Sequence, residues 1–204
     1  MIQHATSPVT FTPLALKLLK DYDEVHSDGS NAFIYSRFLV PHLRRFRGWA
    51  LFVDGDMLCR EDISHLWALR DDSYGVMVCK HDYRTKHKQK YLGTDMQCPN
   101  VDYPRKQWSS VMLINCEHPE NRILTPAYVM ASSGRELHRF EHLRDEDIGS
   151  LPLAWNHLVG EQEYDSEAKL VHYTCGVPAI QAYAHCDYAK EWFDTLYETR
   201  SVTA

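Results

Sequence analysis

The stretch Trp49-Ala50-Leu51-Phe52-Val53-Asp54-Gly55-Asp56 decides how this chain is read. Its first five residues are apolar at both alternating positions. That is the pattern of a strand covered on both faces inside a layered α/β protein. The run stops at two carboxylates separated by one glycine. On an extended backbone residues i and i+2 point to the same side, so Asp54 and Asp56 can present their carboxylates to one point. That point is a strand's C-terminal edge, where ligands bind in open α/β sheets. Gly55 lets the backbone bend and leaves the space clear. Two carboxylates in a half-buried place repel, so a divalent cation is the natural third party. Hard oxygen donors suit Mg²⁺ or Mn²⁺, and phosphate oxygens often complete the shell. The plainer alternative is that both aspartates are solvating groups at a loop edge.

Working outward, the chain alternates strand and helix patterns. Residues 7–12 alternate around Val9 and Phe11 as a short strand, and residues 14–19 are apolar with helical spacing. A polar loop over 21–31 contains Asp28-Gly29-Ser30. Phe33, Ile34, Phe38, Leu39 and Leu43 then line one face of a helix over 32–46, which Pro41 kinks or restarts and Gly48 ends. Downstream, Asp62 is placed to cap a helix carrying Ile63, Leu66 and Leu69. Residues 74–79 and 110–115 read as strands, joined by a polar, basic segment over 80–108. Helical or loop stretches fill 121–143. Residues 170–173 form a last short strand, closing at Gly176, and 188–197 a final helix with Trp192, Phe193 and Leu196 on its apolar side. Such alternation predicts a layered α/β fold.

A chain of 204 residues suits one domain. With 44% hydrophobic and 25% charged residues it is globular rather than disordered. Acidic residues outnumber basic ones 28 to 22, a formal charge of −6, which argues against diffuse attraction to nucleic acid. No apolar run approaches the roughly 20 residues that span a bilayer. Met1-Ile2-Gln3-His4-Ala5-Thr6 does not have the form of a secretory leader. The expected location is therefore cytoplasmic, at most peripheral to a membrane. Six widely spaced cysteines without a Cys-x-x-Cys read as reduced thiols packed in a core. Cys98, Cys116 and His118, or Cys175, His185 and Cys186, are zinc alternatives without paired ligand spacing.

Several segments, taken in order, resemble glycosyltransferases of the GT-A fold, specifically the family 8-like group. They are Tyr35-Ser36-Arg37-Phe38-Leu39-Val40-Pro41, then the Asp-x-Asp strand, then Tyr103-Pro104-Arg105-Lys106-Gln107-Trp108-Ser109-Ser110-Val111-Met112-Leu113-Ile114-Asn115. Leu151-Pro152 with Trp155-Asn156, and His172-Tyr173-Thr174-Cys175-Gly176, complete the set. The resemblance implies a single three-layer, Rossmann-like domain over 1–204 with a mixed, mostly parallel sheet. It implies metal-dependent transfer of a sugar from a nucleoside diphosphate donor, a UDP-sugar, to a glycan or other acceptor. By the family pattern Asp54, Asp56 and His172 hold the Mn²⁺ or Mg²⁺. Arg37, Gly55, Ser110, Asn115 and Gly176 fall at donor-binding positions. Asp145 and Glu146, within Asp145-Glu146-Asp147, fall at the reacting face, with Glu146 where the family carries Gln.

Two departures accompany the resemblance. Gly176-Val177-Pro178-Ala179 lacks the Trp and Lys that close the family's last motif. Residues 7–9 align with the family's second strand, so the opening strand and helix are expected to be missing. A sheet without that strand exposes backbone edges that a second copy can cover. Two rival readings follow: a non-catalytic module that keeps the fold and binds a sugar or partner chain, and a phosphohydrolase of the haloacid dehalogenase type. The latter uses the same strand-end aspartate pair but wants Thr or Val where Leu58 stands.

Overall fold

The computed structural model describes residues 1, 4–27 and 34–202. Ile2, Gln3, Asp28-Gly29-Ser30 from the expected loop, Ala32 and Phe33 therefore lie outside the described residues. Among the described residues there are nine strands: β1 (Trp49–Val53), β2 (Met57–Cys59), β3 (Val76–Val78), β4 (Gln89–Lys90), β5 (Cys98–Pro99), β6 (Val111–Asn115), β7 (Ile148–Ser150), β8 (His157–Leu158) and β9 (Leu170–His172). The α-helices are α1 (Val40–Leu43), α2 (Ile63–Trp67), α3 (Pro126–Ala131), α4 (Gly134–His138) and α5 (Ala189–Val202), with short 3-10 turns between elements.

The central sheet runs β1-β6-β3-β7. It is mixed: β6 lies antiparallel to both β1 and β3, and β3 lies parallel to β7. The expected balance toward parallel pairs is reversed, because β6 enters between β1 and β3 against the direction of both. Side chains alternate between two cores. Val76, Val78, Met112 and Ile114 face one, with Phe38, Leu39, Val129, Leu137 and Phe140 packed over them. Met77, Val111 and Leu113 face the other, with Ile63, Leu66, Trp155 and Leu170. Helical segments thus cover one face and a second structured layer the other, the three-layer α/β arrangement that the alternating pattern predicts.

Two local expectations need correction. β1 is an edge strand, half-buried along its whole length, and among the described residues it pairs with β6 alone. Its apolar run reflects two cores meeting at the edge: Ala50 and Phe52 pack into one, Trp49, Leu51 and Val53 into the other. Residues 7–12 form no strand. Pro8 and Pro13 remove two backbone donors there, and Val9 instead packs against the second core.

The helices begin where the sequence supplies caps. Asp62 accepts from the Ser64 backbone N–H at 2.8 Å, starting α2 as expected. Ser133 and Glu136 form a reciprocal capping box that starts α4, directly after α3 ends. Pro41 sits in the first turn of α1, restarting the chain after a 3-10 turn over Ser36–Leu39.

A second, three-stranded sheet of order β2-β9-β8 builds the site. In the β2–β9 ladder Met57 pairs with His172, and the Tyr173 N–H reaches the Asp56 carbonyl at 3.0 Å. Residues 80–108, read as a plain connection, contain the small β4–β5 ladder.

Candidate functional site

Asp54 and Asp56 leave the end of β1 where β6 begins, and the Asp54 N–H is held by the Ser110 carbonyl at 3.0 Å. The β2–β9 pairing brings His172 alongside. One donor atom each from Asp54, Asp56 and His172 lie within 4.8 Å of one another, and among the described residues this is the one such group. The cysteine and histidine sets considered for zinc form none, and all six cysteines are free thiols.

Each ligand candidate is held from behind. The Arg37 guanidinium clasps both oxygens of Asp54, at 2.9 Å and 3.2 Å, and also donates to the Ser109 carbonyl at 2.9 Å. Arg37 is buried and stacks over the Phe52 ring at 4.9 Å. It therefore braces the carboxylate. His172 is 2% exposed. Its Nδ1 lies 3.0 Å from the side-chain oxygen of Asn156, itself fully buried, and its Nε2 lies 3.3 Å from Asp56. An amide oxygen only accepts, so Nδ1 carries the proton and Nε2 faces the carboxylates. Burial pushes the Asp56 carboxyl upward. When Nε2 carries a proton too, the charge of His172 and its hydrogen bond outweigh that push and leave the carboxyl below the usual range; a cation would take that proton's place. Two carboxylate oxygens and an imidazole nitrogen so oriented form a donor set that fits Mn²⁺ or Mg²⁺.

Gln107 joins these parts. Its backbone is left-handed, at φ +66°. Its carbonyl accepts from the Asn156 amide at 3.1 Å, its amide donates to Thr174 Oγ1, and its side-chain oxygen accepts from Ser110 Oγ at 2.7 Å. Ser110 thus lies next to Asp54, with its hydroxyl bound to a neighbouring side chain. Gln107 and Asn156 stand inside recognisable motifs, but nothing in their spacing marks them as supports. The sign was available only in their type: buried amides flanking candidate ligands.

The other predicted residues divide. Gly55 lies in open space, with no atom within 4 Å of where a Cβ would sit. Gly176, at φ +152°, makes room for the Tyr183 ring, which a side chain there would strike. Asn115 is at the wrong end. Because β6 is antiparallel to β1, Asn115 pairs with Trp49, about 14 Å along the strand from the Asp54 end. Its side-chain oxygen accepts from Glu117 N–H in a turn. Asp145 is exposed and bridged to Arg105, which also donates to the Arg139 carbonyl. Glu146 is exposed and bridged to Arg144, and no contact ties it to the three-ligand group. Asp147 is buried and clasped by Arg144 as well.

An open cavity of about 330 Å³ adjoins the site. Tyr35, Tyr103, Lys90, Lys106 and α4 line it. Lys90 donates to Thr174 Oγ1 at 2.8 Å, two residues beyond His172. His138, also in the wall, lies 2.7 Å through Nδ1 from Ser109 Oγ.

No family model matches the sequence. Two solved glycosyltransferases resemble the structure at low identity. LgtC, a galactosyltransferase, gives a TM-score of 0.51 at 14% identity, over 83% of this chain and 68% of that one. The bifunctional glycosyltransferase WbbM gives 0.50 at 15% identity, over 80% of this chain and 37% of that one, so the chain spans little more than a third of WbbM. Both neighbours have the GT-A fold, and the likeness establishes that fold here. Among curated proteins, Protein CDI of Arabidopsis thaliana is 40% identical over 205 aligned positions, covering 96% of this chain and 78% of that protein. The chain is a GT-A-fold member of the Protein CDI family.

Proposed function

We propose that this protein is a metal-dependent glycosyltransferase that moves a sugar from a nucleoside diphosphate donor, a UDP-sugar, to a glycan or other acceptor. The observation that carries this reading is the Asp54, Asp56 and His172 group at the end of β1, within a GT-A fold. These three residues would hold Mn²⁺ or Mg²⁺. When bound, the cation supplies Lewis-acid stabilisation of the charge that the leaving diphosphate gains.

The chain's own residues do the rest by positioning. Arg37 fixes the Asp54 carboxylate, and Asn156 fixes the His172 ring with Nε2 forward. Open space at Gly55 lets a ligand approach the backbone between the two carboxylates. Asp145, exposed and paired with Arg105, would orient a sugar hydroxyl. The phosphohydrolase reading fares worse, since Arg37 engages both oxygens of the aspartate that would be its nucleophile.

The test is thermal unfolding with Mn²⁺ and UDP, alone and together, followed by assay for sugar release or transfer from UDP-sugars. Joint stabilisation that Asp56→Ala abolishes, with turnover, is the expected result. Joint stabilisation without turnover would favour the non-catalytic module. No response to any nucleoside diphosphate with Mn²⁺ would sink the reading.

A further inference from the structure

The cavity beside the metal-ligand group is lined by four cations, and among the described residues Arg135 alone of them is ion-paired. Lys90, Lys106, Arg135 and Arg139 reach its wall, and no carboxylate does. Lys106 is only 6% exposed, and its ammonium meets two neutral oxygens, Asn100 Oδ1 at 2.6 Å and the Val101 carbonyl at 3.0 Å. Lys90 likewise meets the neutral Thr174 hydroxyl. Among the described residues the Arg139 guanidinium has no hydrogen-bond or ion-pair partner, whereas Arg135 pairs with Glu141 at 3.4 Å. The nearest buried acid, Glu161, is taken up by Asn100 and the Lys86 backbone N–H. Burial and then the Lys90 charge push the Lys106 ammonium down to about 8. A buried cation facing another cation is costly unless an anion completes it.

We infer that this cavity takes the anionic group, a carboxylate or a phosphate, of a sugar substrate seated beside the metal-ligand group, at a place separate from the donor's diphosphate. Lys106 and Lys90 form the floor of that site and Arg139 its mouth. Tyr103, an exposed ring in the wall, offers a face on which a sugar can lie. The cavity joins the ligand group through Lys90, whose charge acts on Asp56, and through Tyr103, which feels Arg37 and Asp54. The inference rests on the glycosyltransferase reading for the nature of the substrate. The anion site itself does not need metal or turnover.

The experiment is thermal unfolding and titration calorimetry on the full chain in EDTA, with inorganic phosphate, glucuronate, glucose and sodium chloride of matched ionic strength. Phosphate or glucuronate should stabilise the protein where glucose and chloride do not, and the better of the two identifies the group. Lys106→Met and Arg139→Gln should each weaken that binding at least about tenfold, the loss expected when one charge-assisted contact goes. Asp56→Ala should keep it. Arg139 lies at the mouth, so Arg139→Gln carries the test if Lys106→Met fails to fold. Addition of Mn²⁺ and UDP should leave the anion affinity unchanged. No anion effect beyond chloride, an effect that survives both substitutions, or competition by Mn²⁺ with UDP would overturn the inference. Anion binding that persists where Mn²⁺ with UDP has no effect would support the site and fail only the transferase reading.

Discussion

Asn156 acts through another residue: its side-chain oxygen fixes the His172 ring, whose Nε2 faces Asp54 and Asp56. Removing such a support typically lowers metal affinity 10- to 100-fold. Asn156→Ala should therefore weaken Mn²⁺ binding by that factor in calorimetry, while Asn156→Asp, which keeps the acceptor, recovers part of it. Equal affinity in the wild type and Asn156→Ala would show that the ring is held by packing alone. The residues differ in how far they could be read from sequence. Asp54 and Asp56 were legible because their geometry is local, two positions apart on one backbone. His172 stood out from twelve histidines only through the order of motifs. Asn156 and Gln107 were not legible as supports, since their roles consist of hydrogen bonds to segments far away in the chain. Asn115 was misplaced for a related reason: a strand's end is set by its direction, which periodicity does not give.

At the scale of elements, α2 links the N-terminal segment to the core. Asp62 accepts from the Thr6 hydroxyl at 2.5 Å and the Thr6 N–H at 3.1 Å, besides capping α2. The Thr6 hydroxyl first, then the Ser64 N–H, hold its carboxyl well below the usual range. A lowered native pKa means the stabilisation is fully present above the ordinary carboxylate value of about 4 and is lost as pH falls below it. Asp62→Asn should thus flatten the acid limb of Tm against pH below about 4 and leave its slope at neutral pH alone. Superimposable acid limbs would show that these bonds do not couple to folding. The cap was legible because capping is local. The failure of residues 7–12 to form a strand was not, since alternation around Val9 suits a packed irregular segment as well as a strand.

For the whole molecule, β6 is the axis. All five of its residues are buried, and Met112 and Leu113 point into different cores. Leu113 is fully buried. Leu113→Ala should cost about 2–5 kcal/mol, read from urea unfolding, because the surrounding layers cannot collapse onto the space. A loss under about 1 kcal/mol would mean that the second core repacks readily. The layered α/β class was legible in apolar strands alternating with helical stretches. The antiparallel insertion of β6 was not, because the two directions of a buried strand share one hydrophobic pattern. The β2–β9 ladder has a consequence of another kind. It joins positions more than a hundred residues apart in sequence, so the imidazole reaches the two carboxylates only after a long loop has closed. A nascent or partly unfolded chain presents the acidic pair without its third donor. Metal capture would thereby be a late event of folding, and a bound cation would act as a clasp on the closed topology.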